Sequence, residues 1–139
     1  MAASGYQRII NVDYSTEVIE RQKKRQQPFG LEWITADCVE DLQRPLAHQS
    51  YGVVIEKTLT DCIACGDDAL LTRQHQMARQ IAAVQPTGGM WLCISFSADR
   101  KPWPPYTLKH KIPLLVPQPN DTKAHAPDIY YYLYVLQKE

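Results

Sequence analysis

The sequence predicts an α/β domain on a mainly parallel sheet that ends in an antiparallel β-hairpin. Three observations carry this. Short apolar runs that end in charge recur at 7–14, 31–37 and 51–57. Segments with helical spacing or helix caps fall among them. Residues 98–128 then hold seven of the ten prolines and lead into a tyrosine-rich tail. Strands that alternate with helices favour a parallel sheet with right-handed crossovers. At 139 residues the chain is long enough for one domain with its own core, spanning 1–139.

The elements follow in order. Ile9, Ile10 and Val12 form a short apolar run, the pattern of a buried parallel strand, and Asp13-Tyr14 ends it. Ser15 is placed to cap a helix over 16–26, with Glu17 in its first turn and Pro28 beyond its end. Leu31 to Asp37 and Tyr51 to Lys57 read as two further strands. Leu70, Met77, Ile81 and Val84 share a helical face, with Asp67 or Asp68 as the cap and Pro86 as the stop. Gly88-Gly89 makes a turn into the apolar strand 90–96. The β-rich run 129–136 is the last strand, and 107–112 is its hairpin partner.

Charge narrows the function classes. Fifteen Lys and Arg balance fifteen Asp and Glu, which argues against a general nucleic-acid or membrane-surface binder. The basic cluster Arg21-Gln22-Lys23-Lys24-Arg25 suits the C-terminal end of a helix dipole. No apolar run reaches the roughly 18 residues of a membrane span, and the start of the chain has no signal-peptide core. The expectation is a cytoplasmic protein with four reduced cysteines. Cys62-Ile63-Ala64-Cys65 supplies two ligands where structural zinc takes four, so no metal is expected.

Several segments resemble the class I S-adenosylmethionine-dependent methyltransferases, and within them the branch that includes elongation-factor lysine methyltransferases. Ile10-Asn11-Val12-Asp13-Tyr14-Ser15 is similar to the family's second strand, and Leu31 to Asp37 to its third. Tyr51 to Ile63 is similar to the fourth-strand motif, Pro86-Thr87-Gly88-Gly89 to the turn before strand five, and Tyr131 to Val135 to the closing strand. The resemblance covers about residues 7–97 and 129–138. It implies that Asp13 binds the cofactor's ribose, that Asp37 sits near its adenine, and that the reactive end lies by Glu56, Lys57 and Asp61.

Two departures shape the expected function. The family's first strand and its glycine-rich turn have no counterpart, since six residues precede Gln7 and a strand–turn–helix unit takes about 30. Thr58 stands where the fourth-strand motif has glycine, and its Cβ is expected to crowd the cofactor or forbid a positive φ. The resulting expectation is an N-terminally truncated methyltransferase fold that has lost methylation and needs no cofactor. It would act on a small apolar molecule by acid/base chemistry of the isomerase, cyclase or dehydratase type. Glu56, Lys57 and Asp61 would be catalytic, and Trp103 and Tyr14 would contact substrate. Asp13 and Asp37 would be vestigial. One alternative is a methyltransferase completed by a partner or a missing segment, which would then use S-adenosylmethionine. Another is a non-catalytic accessory subunit. Loss of a central strand leaves two edges to cover, so either the flanking strands close on each other or the chain self-associates. A homodimer is expected, with the aromatic tail taking part.

Overall fold

The computed structural model describes residues 4–6, 8–26, 31–65, 71–117 and 127–139. Their elements are β1 (Ile10–Asp13), α1 (Thr16–Gln26), β2 (Glu32–Thr35), β3 (Val53–Lys57), α2 (Leu59–Ala64), α3 (Thr72–Ala83), β4 (Met90–Ser95), β5 (Tyr106–Leu115) and β6 (Tyr130–Lys138). Ser15 caps α1 as its sequence suggests, with its Oγ accepting from the Val18 amide at 3.3 Å. The expected caps Asp67 and Asp68, and Leu70, lie outside the described residues. The short helix α2 was not anticipated.

The strands form two ladders. β1 and β2 pair in parallel, and a second sheet has the order β3-β4-β6-β5. β3 and β4 are parallel, while β6 runs antiparallel to both β4 and β5. The closing hairpin is thus the expected one, with β5 as an edge strand that tolerates Pro113. In the turn before β4, Gly88 has φ +81°, and a Cβ on Gly89 would meet the Pro86 carbonyl at 2.9 Å. Both glycines are required there.

No backbone ladder joins β1 to β3 among the described residues, so the flanking strands do not close on each other. Ahead of the two strands, the Arg8 guanidinium lies 5.5 Å from the ring centre of Tyr51. The buried Tyr51 hydroxyl has no partner among the described residues. Ile10, Ile34 and Val54 pack against the one core, which centres on Met77, Ile81, Trp91, Tyr134 and Leu136. The two ladders therefore share a core but are joined by no backbone pairing, and β1 and β3 each have one side unpaired among the described residues; this break between them is the cleft. Beside that cleft Val53 is 54% exposed and Ile55 45%.

β6 is paired on both sides, and Tyr134 and Leu136 are buried, so its backbone presents no free edge. Among the described residues, no helix is long and apolar enough to cross a membrane.

Candidate functional site

Open α/β sheets bind ligands beyond the carboxyl ends of their strands, and most of the chain's candidate residues lie there. Asp13 ends β1, and one carboxylate oxygen accepts from the Ser15 amide at 2.8 Å. Asp37 follows β2 and accepts from the Val39 amide at 2.8 Å in the same way. Each closes an Asx turn with one oxygen. The other oxygen of each has no partner among the described residues, which leaves an acceptor for a polar ligand. Burial, helped by the Asp37 charge, pushes the neighbouring Cys38 thiol up to about 11, so it stays protonated.

Glu56, Lys57 and Asp61 are not brought onto one cavity. Alternation along β3 turns Glu56 inward and Lys57 outward. Glu56 is buried and receives the Leu59 amide at 2.9 Å, the Thr60 amide at 3.4 Å and the Thr60 hydroxyl. It satisfies the first amides of α2 from the preceding strand, as a capping side chain does. Thr58 between them adopts φ +61°, ψ 3°. The expectation that its Cβ forbids a positive φ is therefore wrong: threonine takes the left-handed conformation, held between β3 and the Glu56-anchored helix. Such a conformation is strained for a β-branched residue.

Asp61 belongs to a network that sequence reasoning missed. It accepts from the Ser95 hydroxyl at 2.6 Å and the Phe96 amide at 3.0 Å, and it is ion-paired with Arg100. Arg100 also donates to Ser95 Oγ at 2.8 Å and to Gln74 Oε1 at 3.2 Å. Its backbone amide donates to the Tyr134 hydroxyl, which donates in turn to the Ser97 carbonyl at 2.7 Å. Burial pushes the Asp61 carboxyl up, but the Ser95, Arg100 and Phe96 hydrogen bonds and the Arg100 charge outweigh it and hold it below the usual carboxylate range. A carboxylate so engaged fixes the chain after β4 rather than exchanging protons.

The expected substrate contacts also change. Trp103 is 5% exposed and stacks on Trp91 with ring centres 5.4 Å apart, so its proline-rich loop packs into the core instead of covering a pocket. Tyr14 is 78% exposed at the end of β1. The cavity at this end of the sheet is elsewhere. About 330 Å³ in volume, it is lined by Lys57, Ile94, the 114–117 segment and Tyr131. The Lys57 ammonium lies 5.3 Å from the ring centre of Tyr131, and Phe96 packs on the same ring at 4.4 Å. Cys62 and Cys65 are exposed with free thiols.

With this geometry in place, comparisons with known proteins define the class. The chain is 33% identical over 139 residues to the methyltransferase srdJ of Neurospora crassa, a match that takes in 96% of this chain and 58% of that protein. It is 31% identical over 97 residues to the mouse eEF1A lysine and N-terminal methyltransferase, taking in 67% of this chain and 13% of that one. The N-methyltransferase NodS of Bradyrhizobium japonicum, solved with S-adenosyl-L-homocysteine, superposes with a TM-score of 0.65 at 10% identity, over 95% of this chain and 67% of NodS. No protein-family model matches. The chain has the class I methyltransferase fold. Within that class its sequence relatives are themselves methyltransferases, and it spans less than two thirds of their length.

These relatives overturn the expectation of lost methylation. The sequence match runs through almost the whole chain to a methyltransferase, and nothing in it points to isomerase or cyclase chemistry. The expectation of cofactor independence falls with it, since the solved neighbour of the same fold carries S-adenosyl-L-homocysteine. Both expectations leaned on Thr58 and on the missing turn. Thr58 takes the positive φ that it was expected to forbid.

Proposed function

We propose that this chain is the larger part of an S-adenosylmethionine-dependent methyltransferase, and that a segment outside these residues completes it by supplying the strand and glycine turn between β1 and β3. The match with srdJ across 96% of the chain carries the reading. The cleft supports it: β1 and β3 each pair on one side only among the described residues, and each leaves a free edge that a further parallel strand could pair.

The residues present fit the nucleoside half of the cofactor. Asp13 and Asp37 each keep one carboxylate oxygen free at the strand ends, acceptors suited to ribose hydroxyls and to the adenine amino group. Bound there, S-adenosylmethionine supplies a methyl group on a positively charged sulfur. The Asx turns fix the two carboxylates in advance, so little side-chain freedom is lost on binding. Glu56 and Asp61 hold the floor of the site: one anchors α2 under the Thr58 turn, the other ties the chain after β4 to α2.

The test is titration of S-adenosyl-L-homocysteine into the protein as purified from its source, with whatever segment it carries. Micromolar binding is expected. Asp13→Ala should weaken it roughly 10–100-fold, the scale of a hydrogen bond to a charged group. No binding to the wild-type protein, or binding indifferent to Asp13, would refute the proposal.

A further inference from the structure

The cavity at the ends of β3 and β4 has a chemistry that bears on the methyl acceptor. Its lining is apolar except at two points: Ile94 and the 114–117 segment make the walls, and Lys57 and Tyr131 supply the polar atoms. Among the described lining residues Lys57 is the single cation and there is no carboxylate. The described acids nearby in sequence are committed elsewhere. Glu56 faces the opposite side of β3 and anchors α2. Asp61 is bound to Arg100 and Ser95. Asp128, ahead of β6, lies outside the lining and accepts from the Tyr130 hydroxyl. A protonated amine entering the cavity would meet an ammonium ion with no carboxylate among the described residues to offset it. Like charge in such a site works against binding. A flat apolar body bearing a carboxylate or phenolate oxygen would meet the reverse: apolar walls, the Tyr131 ring and a cation for the oxygen.

We propose that this cavity binds the methyl acceptor, and that the acceptor is an apolar, planar molecule carrying an anionic oxygen rather than the cationic amine of a lysine side chain or chain terminus. This rests on the methyltransferase reading and specifies its substrate class. Lys57 is then the residue that sets specificity. The position suits it, because Lys57 ends β3 immediately before the Thr58 turn, at the same end of the sheet as the Asp13 and Asp37 carboxylates.

Two probes of the same shape and opposite charge test this: 2-naphthoate and 2-naphthylmethylammonium, titrated into the chain with its leucine methyl groups labelled for NMR. Naphthoate should bind about tenfold more tightly, shift the Leu114 and Leu115 methyl signals, and lose its advantage in high salt. Lys57→Met should bring the two probes within about twofold, and Lys57→Glu should reverse their order. The Lys57 side chain is exposed and makes no hydrogen bond among the described residues, so both variants should fold. Equal binding of the probes, tighter binding of the ammonium, no binding of either, or shifts confined to other leucines would each overturn the proposal. So would a preference that survives Lys57→Met. Neither probe involves S-adenosylmethionine. Failure of the S-adenosyl-L-homocysteine titration with charge preference intact would count against the methyltransferase reading alone, and the opposite pattern against the acceptor class alone.

Discussion

The two ladders of this molecule are unequal, although they pack on the same core. The β3-β4-β6-β5 sheet has strands of up to ten residues and contains the largest fully buried side chains, Trp91 and Tyr134. The β1·β2 ladder has strands of four residues, and Val12 remains 38% exposed. Its Trp33 indole nitrogen, like that of Trp91 in the larger sheet, is buried without a partner among the described residues. The difference follows from the cleft. The larger sheet lacks a neighbour on one side but is held by α3, by the hairpin and by the Arg100 network. The smaller one has α1 and a few core contacts. A strand inserted in the cleft would add backbone hydrogen bonds to both, and the smaller ladder has more to gain.

The largest expected effect sharpens this contrast directly. Trp91→Ala should destabilise the chain by about 3–5 kcal/mol, the usual cost of deleting a fully buried tryptophan. Ile10→Ala, at a half-buried position in β1, should cost about 1 kcal/mol. Urea unfolding of both variants checks it, and hydrogen exchange gives a second view. Amides of β4 and β6 should be the slowest to exchange and those of β1 and β2 clearly faster. Equal costs, or equal protection, would mean that the two ladders form a single unit and that the cleft is no weakness.

A smaller effect is expected in the network that joins the sheet to the chain after β4. Arg100→Met leaves Asp61 without its cation in a site where both side chains are nearly buried, at 12% and 13% exposure. The cost should be about 2–3 kcal/mol, somewhat under that of breaking a fully buried pair. The pH dependence has a fixed sign. The folded-state pKa of Asp61 is lowered, so the stability it contributes is complete above the unfolded value near 4 and is lost as pH falls through the folded one. Wild type should lose stability in that acid range more steeply than Asp61→Asn. Parallel curves would show that Asp61 is not the group that titrates.

What the sequence revealed, and what it hid, divides along the range of the contacts involved. The helix 16–26, its Ser15 cap and the strand cores were legible because a cap, an apolar period and a strand run are local patterns. The Gly88-Gly89 turn was legible for the same reason. The Asp61–Ser95–Arg100 network was not, since its partners lie 34 to 39 residues apart and nothing around Arg100 marks it. Trp103 was misplaced because a proline-flanked aromatic looks alike whether it covers a pocket or packs on another tryptophan. Only the register of β4 brings Trp91 beneath it. The reading of lost methylation failed differently. It took a gap in the sequence as a property of the reaction, where the sequence relatives are methyltransferases.

The smallest expected effect concerns Thr58, at the cleft end of β3. Its φ of +61° lies where glycine is comfortable and a β-branched residue is not. The surroundings explain how it persists: its amide donates to the Ile94 carbonyl at 2.8 Å, its carbonyl accepts from the Cys62 amide at 2.9 Å, and Glu56 anchors the first amides of α2. The backbone is fixed from both sides, and the side chain contributes one hydrogen bond, from its hydroxyl to the Lys57 carbonyl at 2.7 Å. Replacing it with glycine removes a conformational strain of order 1–3 kcal/mol. Against that stand about 1 kcal/mol of added unfolded-chain entropy and the lost hydroxyl contact, about 0.5–1 kcal/mol at an exposed site. The balance should be near zero to slightly favourable, so Thr58→Gly should leave the melting temperature unchanged or raise it by a few degrees. A clear loss of stability would show that the threonine is held by more than its backbone, and would place this end of β3 with the well-supported sheet rather than with the open cleft beside it.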